Sequence, residues 1–134
     1  MKTGPHIRPR EDDLPLLADV LERVEARLTE RMQSAEPLLS EISNHLIASG
    51  GKRVRPTVTT LIFHACGGRG IADIVDVATA LELIHSATLL HDDVVDVSAL
   101  RRGKPSANAV WGDKASVLVG DFLFTRSFEL MVDV

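Results

Sequence analysis

The longest helical pattern in this chain constrains its fold most strongly. Residues 71–98 contain neither glycine nor proline, and their apolar positions recur at steps of three and four, as on one face of a helix. A helix this long and this apolar must be buried against other elements. Its predicted inward positions are Ile71, Ile74, Val75, Ala78, Leu81 and Ile84.

Four other segments also have helical patterns. The first is amphipathic, with Asp12 or Asp13 as its cap and Pro15 in its first turn. The second helix is predicted over residues 37–49 and ends before Gly50-Gly51, and the third over about 56–66 with Pro56 in its first turn. The last is predicted over residues 113–132 with Asp113 as its cap, and residues 101–112 are a predicted loop. The first two should bury Leu14, Leu17, Leu21, Val24, Leu28 and Met32, and Leu38, Leu39, Ile42, Leu46 and Ile47. No segment alternates as a strand does, so the predicted class is all-α with about five helices.

Composition excludes several classes of function. A chain of 134 residues with 45% apolar residues can bury one core. A net charge of −4 without long single-sign runs argues against a nucleic-acid partner. The single Cys66 indicates a reducing compartment. Residues 1–11 form a predicted flexible leader without the apolar core of a secretory signal, and no uncharged run approaches the ~18 residues of a transmembrane segment. We therefore expect a cytoplasmic protein.

Three aspartates stand at the end of the long apolar pattern, in the stretch HDDVVD. At about 100° per residue, Asp96 lies about 40° from Asp92 and His85 about 20° from it, so these three share one stripe with Thr88, and Asp93 sits at its edge. Carboxylates one turn apart repel each other. A hard cation that prefers oxygen ligands would offset that repulsion, and Mg²⁺ fits this description.

Paired charges alone could account for the aspartates, because Arg101 and Arg102 follow them and a solvated helix end is common. A second basic segment argues against the interpretation that the aspartates only form ion pairs at a solvated helix end. In SGGKRVRP, residues 49–56, two glycines free the backbone, three cations follow, and a proline opens a helix whose first amides favour an anion. Together the two features predict a site for two polyphosphates, one held through a metal and one held directly by cations.

These motifs resemble the trans-isoprenyl diphosphate synthases, the polyprenyl synthetase family. The resemblance rests on GGKRVRP, ELIHSATLLHDDVVD, RRGKPSAN and VLVGDFL, in that order, and covers about residues 40–134. It is closest to the long-chain octaprenyl and decaprenyl diphosphate synthases. It implies a helical bundle around a central cavity, of which residues 1–134 would be the N-terminal part, and a homodimer.

The resemblance also implies a role for each motif residue. Isopentenyl diphosphate would be bound by Lys52, Arg55, His85 and Arg102. Asp92 and Asp96 would ligate Mg²⁺ on the allylic diphosphate, with Asp93 supporting them and Arg101 contacting that diphosphate. Ala87 and Thr88 would set product length. The candidate catalytic residues are thus Asp92, Asp93, Asp96 and Arg101. The allylic C–O bond would ionise, and the double bond of isopentenyl diphosphate would attack the cation.

The sequence lacks the family's second aspartate-rich motif. We therefore expect the second half of the domain to be missing and the 134 residues not to elongate isoprenoids alone. The alternative functions are a non-catalytic subunit or fragment of a heteromeric prenyl synthase, a helical Mg²⁺-dependent phosphohydrolase, and a head-to-head condensing enzyme. Structural roles are expected for His45, His64, His91 and Trp111, whereas Asp121 could contact the site or make a structural hydrogen bond.

Overall fold

The computed structural model describes the backbone of residues 13–134 and the side chains of residues 16–134. The predicted leader and the proposed cap at Asp12 lie outside the described residues. The elements in chain order are α1 (Asp13–Arg31), α2 (Pro37–Ala48), α3 (Val54–Ala65), α4 (Ile71–Val95), β1 (Leu100–Arg101), β2 (Lys104–Pro105), α5 (Ala107–Trp111) and α6 (Asp113–Val132). The helical class is confirmed.

Helix α4 lies at the centre of the packing. It contacts α6 most extensively and also packs against α1 and α3. Leu83 of α4 and Leu123 and Leu130 of α6 are fully buried at this junction, and burying one such side chain is worth about 1.5–3 kcal/mol. Helix α1 adds Val20, Val24 and Leu28 to the same core, and Met32, the residue that follows the helix, packs with them.

The predicted inward faces are correct in outline and wrong at particular residues. Ile74, Val75, Ala78 and Ile42 are buried as expected, whereas Leu81 is 39% exposed and Leu38 is 47% exposed. The periodicity identified the helices, but the width of each buried face depends on how many neighbours surround the helix.

Helix α4 also meets the length and apolarity of a membrane span, with a mean hydropathy of 1.2 in its most apolar window. Half of that window is buried, as expected for a core helix, so the pattern carries little weight for a membrane location.

The segment predicted as a loop contains more structure than expected. β1 and β2 form an antiparallel hairpin with Leu100 opposite Pro105. The two residues between them, Arg102 and Gly103, have φ of 53° and 76°, the positive values that a tight two-residue hairpin turn requires. Helix α5 follows, which makes six helices among residues 13–134 rather than about five. Arg-Gly is not a usual hairpin signal and the strands have two residues each, so no alternation could reveal them.

Two predicted helix ends are wrong. Asp113 is the first residue of α6, and Gly112 occupies the cap position without a side-chain hydrogen bond. Helix α4 ends at Val95 rather than near residue 98, because Val97 adopts φ of 53°. The amides of Val97 and Ser98 then bond back to the carbonyls of Val94 and Asp93, at 3.2 and 2.9 Å, which is the Schellman pattern that terminates helices.

Candidate active site

A cleft with a volume of about 600 Å³ brings the two basic segments together. Three parts of the chain line it: the loop before α3 together with the first turn of α3, the middle of α4, and the turn of the hairpin. The lining residues are Gly51, Lys52, Arg53, Val54, Arg55, Glu82, His85 and Arg102. All four residues predicted to bind isopentenyl diphosphate are therefore in one cleft, although they are up to fifty positions apart in the sequence.

Cations outnumber carboxylates in the lining of the cleft, and they affect the pKa of His85. Burial lowers the pKa of the His85 imidazole below its ordinary value, and the nearby Arg55 guanidinium lowers it further, while Glu82 acts in the opposite direction. Arg102 and Arg101 also lower the pKa of His85. Burial is the largest cause of this lowering and the arginines add to it; cations that disfavour a protonated histidine would stabilise a bound anion.

The three aspartates occupy different environments. Asp92 and Asp96 are exposed, and neither side chain forms an ion pair within residues 16–134. Asp93 is 5% exposed. Its two oxygens accept hydrogen bonds from Nε and Nη2 of Arg101, both at 2.7 Å, and this hydrogen bonding raises the pKa of Arg101. One aspartate therefore anchors the hairpin, and two remain available to a ligand.

The free carboxylates fit Mg²⁺ by their chemistry. No group of three or more histidine, cysteine, aspartate or glutamate side chains in the described part of the chain forms a metal cluster. Mg²⁺ is commonly held by one or two carboxylates, with phosphate oxygens and water as its other ligands. Asp92 and Asp96, one turn apart at the end of α4, match that requirement.

Helix α4 carries a second stripe of polar residues that we did not predict. Glu82 and Asp93 lie eleven positions apart, which places them about 20° from each other around the axis. Both are buried, and each pairs with an arginine of a basic loop: Glu82 with Arg53 and Asp93 with Arg101. The spacing of these carboxylates, read on the helix, was a signal that could have identified them.

The hairpin is also held against the end of α2. The carbonyl of Pro105 contacts Nε2 of His45 at 3.0 Å, and Nζ of Lys104 donates to the carbonyl of Ala48 at 3.4 Å. Arg102 donates to the carbonyl of Gly50. These contacts join the RRG turn to the GGKRVR loop, so both basic segments form one wall of the cleft.

Among residues 13–134, three non-glycine residues have left-handed backbone conformations: Arg53, Val97 and Arg102. Each is in or next to the candidate site, at the basic loop, at the end of α4 and at the hairpin turn. Such conformations cost about 1–2 kcal/mol per residue and tend to cluster at functional sites. Their placement supports a functional role for this region.

The remaining candidates are in varied positions. Ala87 is fully buried in the core, whereas Thr88 is exposed and its Oγ1 donates to the carbonyl of His85 at 2.7 Å. His91 contacts the carbonyl of Val117 at 3.1 Å and Asp121 at 3.4 Å, and His64 contacts the carbonyl of Gly68. Trp111 packs against the core, edge-on to His45. These contacts agree with structural roles for the histidines and the tryptophan.

A central apolar helix with free carboxylates at one end, beside a basic cleft, is characteristic of an α-helical isoprenoid synthase fold. The chain belongs to the polyprenyl synthetase family, whose pattern matches residues 36–134.

Known relatives agree with this assignment. The chain is 42% identical over 125 residues to the all-trans-nonaprenyl-diphosphate synthase (geranyl-diphosphate specific) of Rhodobacter capsulatus, and the match covers 93% of this chain and 38% of that protein. It is 44% identical over 119 residues to the octaprenyl diphosphate synthase of Escherichia coli K12, covering 89% of this chain and 36% of that protein.

A solved structure is also similar. The polyprenyl synthase of Caulobacter crescentus CB15, complexed with calcium and isoprenyl diphosphate, superimposes with a TM-score of 0.85 at 48% identity, covering 93% of this chain and 39% of that one. The chain therefore spans less than two-fifths of the length of each of these three proteins.

Proposed function

We propose that this chain contributes to a Mg²⁺-dependent prenyltransferase, which condenses isopentenyl diphosphate with an allylic diphosphate to make a long-chain polyprenyl diphosphate. The observation that carries the proposal is the cleft in which Lys52, Arg55, His85 and Arg102 converge beside the free aspartates of α4. Its relatives include an octaprenyl and a nonaprenyl diphosphate synthase, which supports a long product.

The basic cleft is the proposed site for isopentenyl diphosphate. Lys52 and Arg55 are exposed on its rim, and Arg102 reaches it from the hairpin turn. Diphosphate oxygens are strong acceptors, and cationic donors bind them with charge-assisted hydrogen bonds. Burial and the surrounding cations lower the pKa of His85, whereas a bound anion would raise it.

The end of α4 is the proposed site for the allylic diphosphate. Asp92 and Asp96 would hold Mg²⁺, and the metal would supply positive charge to the leaving diphosphate. Arg101 faces the same end of the helix while it is bonded to Asp93, so it supplies a fixed guanidinium rather than a mobile one.

The reaction requires separated charges in a dry space. The allylic C–O bond breaks, and its electron pair leaves with the diphosphate. The double bond of isopentenyl diphosphate then forms the new C–C bond to the allylic cation, and a proton is lost from the former isopentenyl unit. Lys52, Arg55 and Arg102 hold one partner in place, and the apolar residues of α4 keep water from the cation.

Product length is proposed to depend on Ala87 and Thr88, one turn before the aspartates. Neither side chain is bulky, so a growing tail would meet no aromatic ring there. The relatives are more than twice as long as this chain. We accordingly propose that elongation requires a polypeptide of that length, acting as a cytoplasmic homodimer.

The test is binding of inorganic diphosphate to the chain, measured by calorimetry with and without Mg²⁺. Lys52→Met should weaken the metal-independent binding about tenfold, as expected for the loss of about 1.4 kcal/mol from one charge-assisted contact. Asp92→Asn combined with Asp96→Asn should remove the gain that Mg²⁺ provides. Lys114→Met, a change of the same type at an exposed position of α6, is the control. Equal affinities for Lys52→Met and Lys114→Met would contradict the proposal.

A further inference from the structure

Arg53 differs from the other cations of the basic loop, because its side chain is turned into the protein. It is 17% exposed and lies between carboxylates of two helices. Its Nη1 is 3.2 Å from Oε1 of Glu82 on α4, and its Nη2 is 3.3 Å from Oε2 of Glu25 on α1. Nε of Arg53 makes a further contact with Glu25. The guanidinium therefore connects the loop to both helices.

This connection fixes the backbone of the loop. Arg53 is the cap residue of α3, with φ of 50°. Its carbonyl accepts hydrogen bonds from the amide and the Oγ1 of Thr57, at 3.1 and 2.8 Å. A Cβ atom on Gly51 would lie 2.7 Å from Nη1 of Arg53, so the loop closes tightly over the guanidinium. The neighbouring Lys52 and Arg55 are left exposed toward the cleft.

Glu82 is an unexpected residue on the wall of a cationic cleft. It is 5% exposed, and its Oε2 is buried without a hydrogen-bond partner within the described residues. A buried acceptor without a partner costs about 1–3 kcal/mol, and a carboxylate beside an anion site repels the anion. Within residues 16–134 its one ion pair is with Arg53, and this is the interaction that can offset these costs.

We propose that Glu82 is a positioning residue of the diphosphate cleft: with Glu25, it holds Arg53 inward, so that Lys52 and Arg55 are presented to the ligand. The inference rests on the proposed function, since it assigns the means by which that cleft is organised. Asp93 and Arg101 provide a parallel, because that pair anchors the second basic loop to the same helix.

The direction in which Glu82→Gln changes the affinity for inorganic diphosphate tests the proposal. Glu82→Gln removes a negative charge next to the cleft, so charge alone predicts tighter binding of inorganic diphosphate. Positioning predicts weaker binding, because Arg53 loses its buried partner and the loop is no longer held. We expect affinity in calorimetry without Mg²⁺ to fall at least about fivefold, equivalent to about 1 kcal/mol.

Asp76→Asn is the matched control. Asp76 of α4 pairs with Arg27 of α1 at 3.0 Å, so this substitution also breaks an ion pair between α1 and α4, but away from the loop. It should lower stability to urea and leave the affinity for diphosphate unchanged. Combining Glu82→Gln with Arg53→Met should cost no more than Arg53→Met alone, because the two residues act together.

The outcomes distinguish failure of the positioning role of Glu82 from failure of the proposed function. Weaker binding in Glu82→Gln but not in Asp76→Asn supports positioning. Equal or tighter binding in Glu82→Gln, with Lys52→Met still defective, overturns positioning and leaves the proposed function standing. If the unmodified chain binds no diphosphate, both are overturned. Should Glu82→Gln fail to fold, Glu25→Gln decides by the same criteria, since Glu25 is 45% exposed and its loss leaves the core intact.

Discussion

Replacing each aspartate of HDDVVD by asparagine should divide the three into two kinds. Asp93→Asn should destabilise the fold, whereas Asp92→Asn and Asp96→Asn should not. The difference follows from burial, because Asp93 is 5% exposed and bonded twice to Arg101, while the other two are exposed.

The magnitude follows from the contacts. A hydrogen bond to a charged group contributes about 1.5–3 kcal/mol, and breaking a fully buried ion pair costs about 3–5 kcal/mol. Arg101 is 27% exposed, so water can solvate it after the change, and asparagine retains one acceptor oxygen. We therefore expect Asp93→Asn to cost about 2 kcal/mol. Loss of Asp92 relieves repulsion from Asp96, so its effect should lie within about 0.5 kcal/mol of zero.

Urea unfolding followed by circular dichroism at 222 nm measures this difference. In thermal unfolding of a chain of this size, about 2 kcal/mol would also lower the Tm by roughly 6–10 °C. Mg²⁺-dependent diphosphate binding should show the reverse order, with the greater loss in Asp92→Asn. The reasoning is refuted if Asp93→Asn is as stable as the unmodified chain, or if Asp92→Asn is equally destabilised.

Four further outcomes are expected. Val97→Gly should stabilise the chain by about 1 kcal/mol in urea unfolding, because glycine adopts the left-handed position after α4 without strain; no gain would mean that Val97 is unstrained. Gly120→Val should cost about 2 kcal/mol, since a Cβ at Gly120 would lie 2.2 Å from Nε2 of His91, and His91→Ala should recover part of that loss. The free energy of unfolding should fall as pH decreases below the ordinary histidine pKa of about 6.5. The reason is that the fold lowers the pKa of His85, so the unfolded chain takes up the proton first. His85→Gln should reduce the dependence of the unfolding free energy on pH. Radiolabelled isopentenyl diphosphate with an allylic primer and Mg²⁺ should give no extended product with the 134 residues alone. In a polypeptide of the relatives' length, Thr88→Phe should shorten the product, and chromatography of the dephosphorylated products would detect the change.

Ala87 shows how the structure changes the design of such a test. The resemblance gives Ala87 and Thr88 the same role in product length, but Ala87 is fully buried and Thr88 is exposed. A phenylalanine at Ala87 would overpack the core and cost about 1–3 kcal/mol. Its effect on product length would be mixed with an effect on stability, so Thr88→Phe is the cleaner variant.

Local periodicity determined most of the fold. The spacing of apolar residues predicted the five long helices, and glycine and proline marked several of their ends, because helix formation depends on residues three and four positions apart. The roles of Lys52, His85 and Asp92 were predicted from the family resemblance of the short stretches in which they stand, and these roles stay predictions.

The tertiary structure alone decided which charged residues are anchors and which are free. The sequence shows three aspartates within five residues and three cations within four. Only the eleven-residue spacing from Glu82 sets Asp93 apart from Asp92, and nothing local distinguishes Arg53 from Lys52. Asp93 is buried because the hairpin returns over it, and Arg53 turns inward because α1 and α4 place Glu25 and Glu82 beside it. The energy of an ion pair depends on the burial of both partners, and burial is set by elements that are distant in the chain.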